Sequence, residues 1–153
     1  MGTISKKLVL VTVLMISAIF LSTGLYAGTK VKNVIPMNNK AYKKHKKAII
    51  QFTHEKHATD YKISCGECHH DSKGKALKLK KGDNVQNCIE CHKNTGKLPK
   101  KIKKLKGKKK KAAKIKEMHK DAIHANCIKC HKKFNKKTKS KKAPQSCKKC
   151  HKK

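Results

Sequence analysis

The 153-residue chain is dominated by lysine: it has 42 lysines, no arginine and 8 acidic residues, which gives a formal net charge of +34. Aromatic residues make up only 4% of the chain, and leucine and valine are sparse beyond residue 35. This composition excludes a conventionally packed globular domain unless another apolar body fills its interior. The charge favours acidic partners.

The first predicted element is an export signal over residues 1–27. Lys6 and Lys7 precede an apolar stretch from Leu8 to Leu21, and Ala27 ends the segment at a cleavage site. A retained membrane anchor is the alternative, but this stretch is shorter than a membrane span, which needs about 20 residues. We therefore expect an exported, periplasmic protein.

Two further segments follow the signal in the predicted organisation. Residues 28–48 form a lysine-rich N-terminal extension, and residues 49–153 form the functional domain. Within that domain, residues 93–111 form a basic linker whose blocks of like charge predict a mobile loop or an interaction tail. No segment shows the period-two alternation of a strand, so we expect short helices and long loops.

Four C-x-x-C-H strings contain every cysteine in the chain. In c-type haem sites, the two thiols of this string bond to the porphyrin edge and the histidine that follows ligates the iron. The strings therefore predict four covalently bound haem c groups, large apolar bodies that would fill the interior. The cofactor-binding cysteines are Cys65, Cys68, Cys88, Cys91, Cys127, Cys130, Cys147 and Cys150, and the histidines of the strings are His69, His92, His131 and His151.

Six other histidines are candidates for the second axial ligands, and four of them would make every iron bis-histidine. His54 and His57 lie three residues apart, so on a helix they share one face and could reach two different haems. A coincidental surface pair is the alternative. His70 directly follows His69, so the two rings point in different directions and could serve neighbouring haems, unless His70 faces solvent.

The choice between His119 and His124 depends on helical phase. Residues 112–124 place their apolar side chains on one face at the helical period. His119 lies within that face, whereas His124 points to the opposite, polar side. We therefore predict that His119 is an iron ligand and that His124 is a surface residue. His45 lies among four lysines and is expected to be solvated.

Three motifs occur together between residues 49 and 151, and their combination is specific. They are F-x-H-x-x-H at residues 52–57, C-x-x-C-H-H at residues 65–70, and the Met118-His119 pair before the third string. In these motifs the chain resembles the class III tetrahaem cytochromes, the cytochrome c3 family. Many members have C-x-x-x-x-C-H at the second and fourth haems, whereas all four strings here have the short spacing.

The resemblance implies a mostly α-helical fold with long loops, wrapped around four bis-histidine haems with a minimal protein core. Phe52 resembles the family's aromatic residue that packs against the haems. The implied ligand pairs are His54 with His69, His70 with His92, His57 with His131, and His119 with His151.

The resemblance also implies an exported, low-potential electron-transfer protein rather than an enzyme. Members of the family shuttle electrons between periplasmic dehydrogenases, such as hydrogenase or formate dehydrogenase, and membrane redox complexes in anaerobic respiration. The lysine-rich surface would bind acidic patches on such partners. Anionic lipid headgroups are a further expected contact, and nucleic acid is not expected as a partner.

Two other functions fit parts of the sequence. The spacings from Cys68 to Cys88 and from Cys130 to Cys147 fall in the range of zinc sites, and lysines could neutralise nucleic-acid phosphates. However, zinc sites need no histidine after every second cysteine, and an export signal directs a chain away from nucleic acid. Outer-sphere reduction of metal ions or minerals is the other alternative, because it requires no open coordination position on iron.

Overall fold

The computed structural model of the protein describes residues 32–152. The predicted export signal, residues 1–27, and the start of the predicted extension lie outside the described residues. The compact unit comprises residues 32–81 and 85–152, and residues 82–84 do not belong to it. Gly82 has a φ of 97°, a left-handed conformation that glycine adopts without steric cost.

The described residues are mostly helical with long connections, as the sequence predicts. The only strands among them are two residues long: β1, Ile35–Pro36, pairs antiparallel with β2, Gln51–Phe52, so that Ile35 lies opposite Phe52. The third Cys-x-x-Cys-His string lies inside a long helix, and the other three form short helical turns. The helices are α1, His54–Ala58; the 3₁₀ turn Cys65–Glu67; α2, Cys88–Cys91; α3, Lys100–Lys103; α4, Gly107–Glu117; α5, His119–Lys137; and α6, Cys147–Cys150.

Residues 93–111, predicted as a mobile loop or an interaction tail, are not a loop, because they contain α3 and the start of α4. Lysine has a good intrinsic helix propensity, which the charge-block argument left out of account. Proline and glycine are poor helix formers, but the proline and the second glycine of this segment lie at helix starts. Pro99 is the N-cap of α3 and Gly107 is the first residue of α4. A proline at a helix start loses no intrahelical hydrogen bond.

The protein core is small, which confirms the prediction of a minimal core. Within residues 32–152, the buried apolar side chains are those of Ile102, Met118 and Ala122, with exposed fractions of 1%, 5% and 9%, and the buried polar one is that of His119. Three buried apolar side chains are a small core for a chain of this length.

A break in the backbone separates α4 from α5 at Met118. This residue has φ −96° and ψ 117°, an extended conformation between two helices. A loop residue, Asn94, bridges the break: its amide donates to the carbonyl of Glu117 at 3.2 Å, and its carbonyl accepts from the amide of His119 at 3.0 Å. The two helices are therefore not in helical phase with each other.

Within residues 32–152, no helix is both long enough and apolar enough to cross a membrane.

Candidate metal centres

All four Cys-x-x-Cys-His strings adopt helical turns. In three of them, the amide of the histidine donates to the carbonyl of the first cysteine, at 2.8 Å for His69, 2.9 Å for His92 and 2.8 Å for His151. The third string lies inside α5. A helical turn places residues three apart on the same side. Each string therefore presents its two thiols together, with the histidine directly after them.

The thiols of different strings are neighbours. Burial, followed by the nearby thiols of Cys68, Cys150 and Cys88, raises the pKa of the Cys127 thiol to about 11. Burial likewise raises the pKa of Cys68, with the thiol of Cys130 as the next cause. None of the eight cysteines forms a disulfide. Thiols from all four strings therefore lie near one another in a common region.

Eight histidine rings form four pairs, and each pair contains one histidine from a string. The distances between ring centroids span only 5.9–6.4 Å, although the partners of each pair are well separated in sequence. The pairs are His54 with His69 at 6.3 Å, His70 with His92 at 5.9 Å, His57 with His131 at 6.4 Å, and His124 with His151 at 6.3 Å.

The centroid distances match two imidazoles bound to opposite sides of one metal ion. A metal–imidazole bond is about 2.0–2.1 Å and the centroid lies about 1.1 Å behind the bonded nitrogen, so the two centroids should be about 6.3 Å apart. Three of the four pairs, at 6.3, 6.4 and 6.3 Å, agree with that value. The paired rings therefore fit axial ligation of a haem iron.

Backbone carbonyls hold five of these rings through Nδ1. A carbonyl can only accept, so each of these Nδ1 atoms carries the proton and the lone pair lies on Nε2, the ligating nitrogen. The distances from Nδ1 to the carbonyl oxygen are 2.8 Å for His57 to Thr53, 2.8 Å for His70 to Asp71, 2.9 Å for His92 to Lys116, 2.7 Å for His131 to Pro144, and 2.8 Å for His151 to Ala48.

The first pair lacks this anchor. Nδ1 of His54 is buried and has no hydrogen-bond partner among the described residues. Burial, followed by the nearby His54 and His70, lowers the pKa of His69. A lowered pKa keeps the His69 ring neutral and so available as a ligand. Phe52 packs against both histidines of α1, at ring-centroid distances of 5.8 Å from His54 and 4.8 Å from His57.

Seven of the eight histidines predicted as ligands fall into these pairs, but His119 does not. His124 lies beside His151 in the place expected for His119. Helical phase relates positions 119 and 124 to the apolar face only if residues 112–124 form one helix, whereas the extended backbone at Met118 resets the phase between α4 and α5. His119 therefore lies in the small core, on the apolar side of its helix as predicted. The ring of His124 lies beside that of His151, the histidine of the fourth string.

His119 is instead part of a buried polar contact. Its ring is 5% exposed, and its Nδ1 lies 2.9 Å from the hydroxyl of Tyr42. Burial, and then the nearby His92, lowers the pKa of His119, while burial and then the charge of Asp121 raise the pKa of Tyr42. Both groups are therefore neutral at pH 7, and their hydrogen bond joins the N-terminal extension to the start of α5.

His45 also differs from its predicted solvated position. Its ring lies 5.5 Å from that of Tyr42, and its Nε2 is buried without a hydrogen-bond partner among residues 32–152. The lysines around it in the sequence are exposed. The aromatic residue three positions earlier, Tyr42, was the signal that could have indicated partial burial.

The arrangement does not provide a zinc site. Within the described chain, no group of three or more histidine, cysteine or acidic side chains is placed to hold a metal ion. A structural zinc ion needs four protein ligands around it. Imidazoles in pairs suit a metal whose remaining four ligands come from a planar group such as a porphyrin.

Thiol pairs on helical turns, combined with imidazole rings in pairs at a metal-spanning distance, define a protein of the c-type cytochrome class. The sequence matches the class III cytochrome C family over residues 29–151, and the chain belongs to this family. It is accordingly a multihaem electron-transfer protein with covalently bound haem c. No curated protein matches the chain.

Proposed function

We propose that the chain binds four haem c groups, and that each iron is held between two imidazoles. The four ring pairs, with centroids 5.9–6.4 Å apart, are the observation that carries this proposal. Each haem would be attached through the two thiols of one string. For the first to the fourth string in order, the axial ligands would be His54 and His69, His70 and His92, His57 and His131, and His124 and His151.

Bis-histidine ligation would make the protein a carrier of electrons rather than an enzyme. The haem iron, when bound, supplies a reversible one-electron change. Two imidazoles leave no coordination position for a substrate, and they give lower potentials than a histidine–methionine pair. The hydrogen bonds from Nδ1 to backbone carbonyls make the ring more basic, which stabilises the oxidised iron and lowers the potential further.

The partners we propose are acidic redox proteins. An exported chain of this family would take electrons from a periplasmic dehydrogenase of the hydrogenase or formate dehydrogenase type and pass them to a membrane redox complex. The strongly positive charge, formally +34 for the complete chain with its export signal, supports fast association with acidic docking surfaces, at rates that fall as salt is added. The sequence pattern of residues 1–27 supports export to the periplasm.

The intact mass and the visible and EPR spectra of the purified mature protein test the proposal. We expect four covalent haems for each chain and low-spin iron in both oxidation states. A haem count other than four, or high-spin iron in the unmodified protein, would refute it. The mass also shows whether the predicted export signal is removed.

A further inference from the structure

The segment from Lys97 to Glu117, here called the lysine segment, concentrates the charge of the protein. It contains twelve lysines and one acidic residue, Glu117. It comprises α3, α4 and the residues around them. The only buried side chain in these two helices is that of Ile102, in α3; α4 buries none.

Few of these lysines have a protein partner. Lys101 pairs with Glu117 at 2.9 Å, Lys114 pairs with Asp121 at 2.8 Å, and Lys110 donates to a backbone carbonyl at 3.1 Å. Within residues 32–152, the exposed lysines at positions 108, 109 and 111 form no ion pair. They present a row of positive charges to solvent.

The first turn of α4 is electrostatically unfavourable by itself. It has no acidic residue and no side-chain cap, and it carries consecutive lysines at the positive end of the helix dipole. Lysines three and four apart also repel each other. α4 buries no side chain that would compensate for this repulsion. An acidic surface bound against α4 would reduce the repulsion among its lysines.

The last turn of α4 is joined to the second pair of histidines. Nδ1 of His92 donates to the carbonyl of Lys116 at 2.9 Å, and the amide of Asn94 donates to the carbonyl of Glu117 at 3.2 Å. The His92 ring lies 5.9 Å from that of His70. One hydrogen bond thus separates the lysine segment from a proposed iron ligand.

We infer that the lysine segment is the docking surface for an acidic electron-transfer protein, and that the haem held by His70 and His92 is the one through which electrons enter. This inference rests on the proposed function. In the transfer step, a reduced partner loses one electron and the ferric iron between the two rings becomes ferrous. No bond is made or broken.

Reduction by an acidic plant-type [2Fe–2S] ferredoxin tests the inference on the complete holoprotein. One triple variant replaces Lys108, Lys109 and Lys111 with glutamine. The matched control replaces Lys133, Lys136 and Lys137 of α5, which are also exposed and form no ion pair among the described residues. Both variants lose three charges, so a difference between them reports position rather than net charge.

At low salt, we expect the lysine-segment variant to lower the second-order rate of reduction about tenfold, and the control to lower it less than about twofold. The difference should disappear at high salt. Paramagnetically shifted NMR signals of the haem held by His70 and His92 should move first when oxidised ferredoxin is added. Equal losses in the two variants, or first changes at another haem, would overturn the inference.

A vesicle experiment separates protein docking from lipid binding. Co-sedimentation with phosphatidylserine vesicles is measured for the same two variants. A lysine-segment variant that loses vesicle binding but keeps its ferredoxin rate would assign the surface to lipid and overturn the inference. Failure of the proposed function has a different result, because the unmodified protein would then lack four low-spin haems.

Discussion

Replacement of His124 by alanine should remove one axial ligand from one iron and leave the other three irons unchanged. The His124 ring lies 6.3 Å from that of His151 and takes part in no other histidine pair among the described residues. His119, five residues earlier in the same helix, provides a matched control. Its Nδ1 contacts the hydroxyl of Tyr42, and within residues 32–152 its ring is not paired with another histidine.

The two substitutions should differ in both kind and size of effect. With four ring pairs, the loss of His124 should convert a quarter of the iron to the high-spin state. His119→Ala should leave all iron low-spin but should lower the free energy of unfolding by about 2–4 kcal/mol. It removes a buried side chain and leaves the Tyr42 hydroxyl without its hydrogen-bond partner.

EPR and visible spectra of the oxidised proteins measure the high-spin fraction, and guanidinium denaturation measures stability. Added imidazole should return His124→Ala to the low-spin state, because it can occupy the position that the side chain leaves. Imidazole should have no effect on the spectrum of His119→Ala. High-spin iron in His119→Ala, with a normal spectrum for His124→Ala, would show that the ring pairs do not report ligation.

Three further experiments, one of them with a control substitution, test other features of the structure. Gly66→Ala should destabilise the protein by about 1–3 kcal/mol, because a Cβ there would lie 2.6 Å from the carbonyl oxygen of Leu77. Gly96→Ala, whose nearest atom would be 3.7 Å away, should have little effect in the same denaturation assay. Because burial lowers the pKa of His119 in the folded protein, the unfolded chain binds a proton there first. Stability should therefore fall as the pH drops below about 6.5, and His119→Gln should lose less stability over that range in denaturation curves measured against pH. Phe52→Leu should lower the free energy of unfolding by about 0.5–1.5 kcal/mol through loss of its ring contacts with both histidines of α1, and an unchanged denaturation midpoint would argue against those contacts.

The local geometry of the strings is encoded in adjacent residues. One helical turn is enough to place two cysteines three residues apart on the same side, with the histidine directly after them. Each string adopts such a turn. The succession of His69 and His70 likewise predicts two rings directed to different partners, as the pairs show. The minimal core follows from the sparse apolar residues and the helices from the absence of period-two alternation, and the structure confirms both.

The errors come from features that depend on distant residues. The backbone break at Met118 is held by hydrogen bonds from its neighbours to Asn94, which lies in a separate loop, and no pattern within residues 112–124 reveals it. The burial of His45 depends on Tyr42, which is in turn held by His119. Residues 93–111 form helices despite their charge repulsion because lysine has a good helix propensity.

The direct succession of His69 and His70 has a consequence for how electrons would pass inside the protein. One ring belongs to the first pair and the other to the second, and their Cα atoms are separated by one peptide unit, about 3.8 Å. The turn of α1 links the first and third pairs in a similar way, through His54 and His57. Tunnelling rates fall steeply as the gap between donor and acceptor widens. Short covalent connections would set the distances between the haems held by these linked pairs. Thermal fluctuation of the long loops should therefore change those distances little, even in a chain with almost no core.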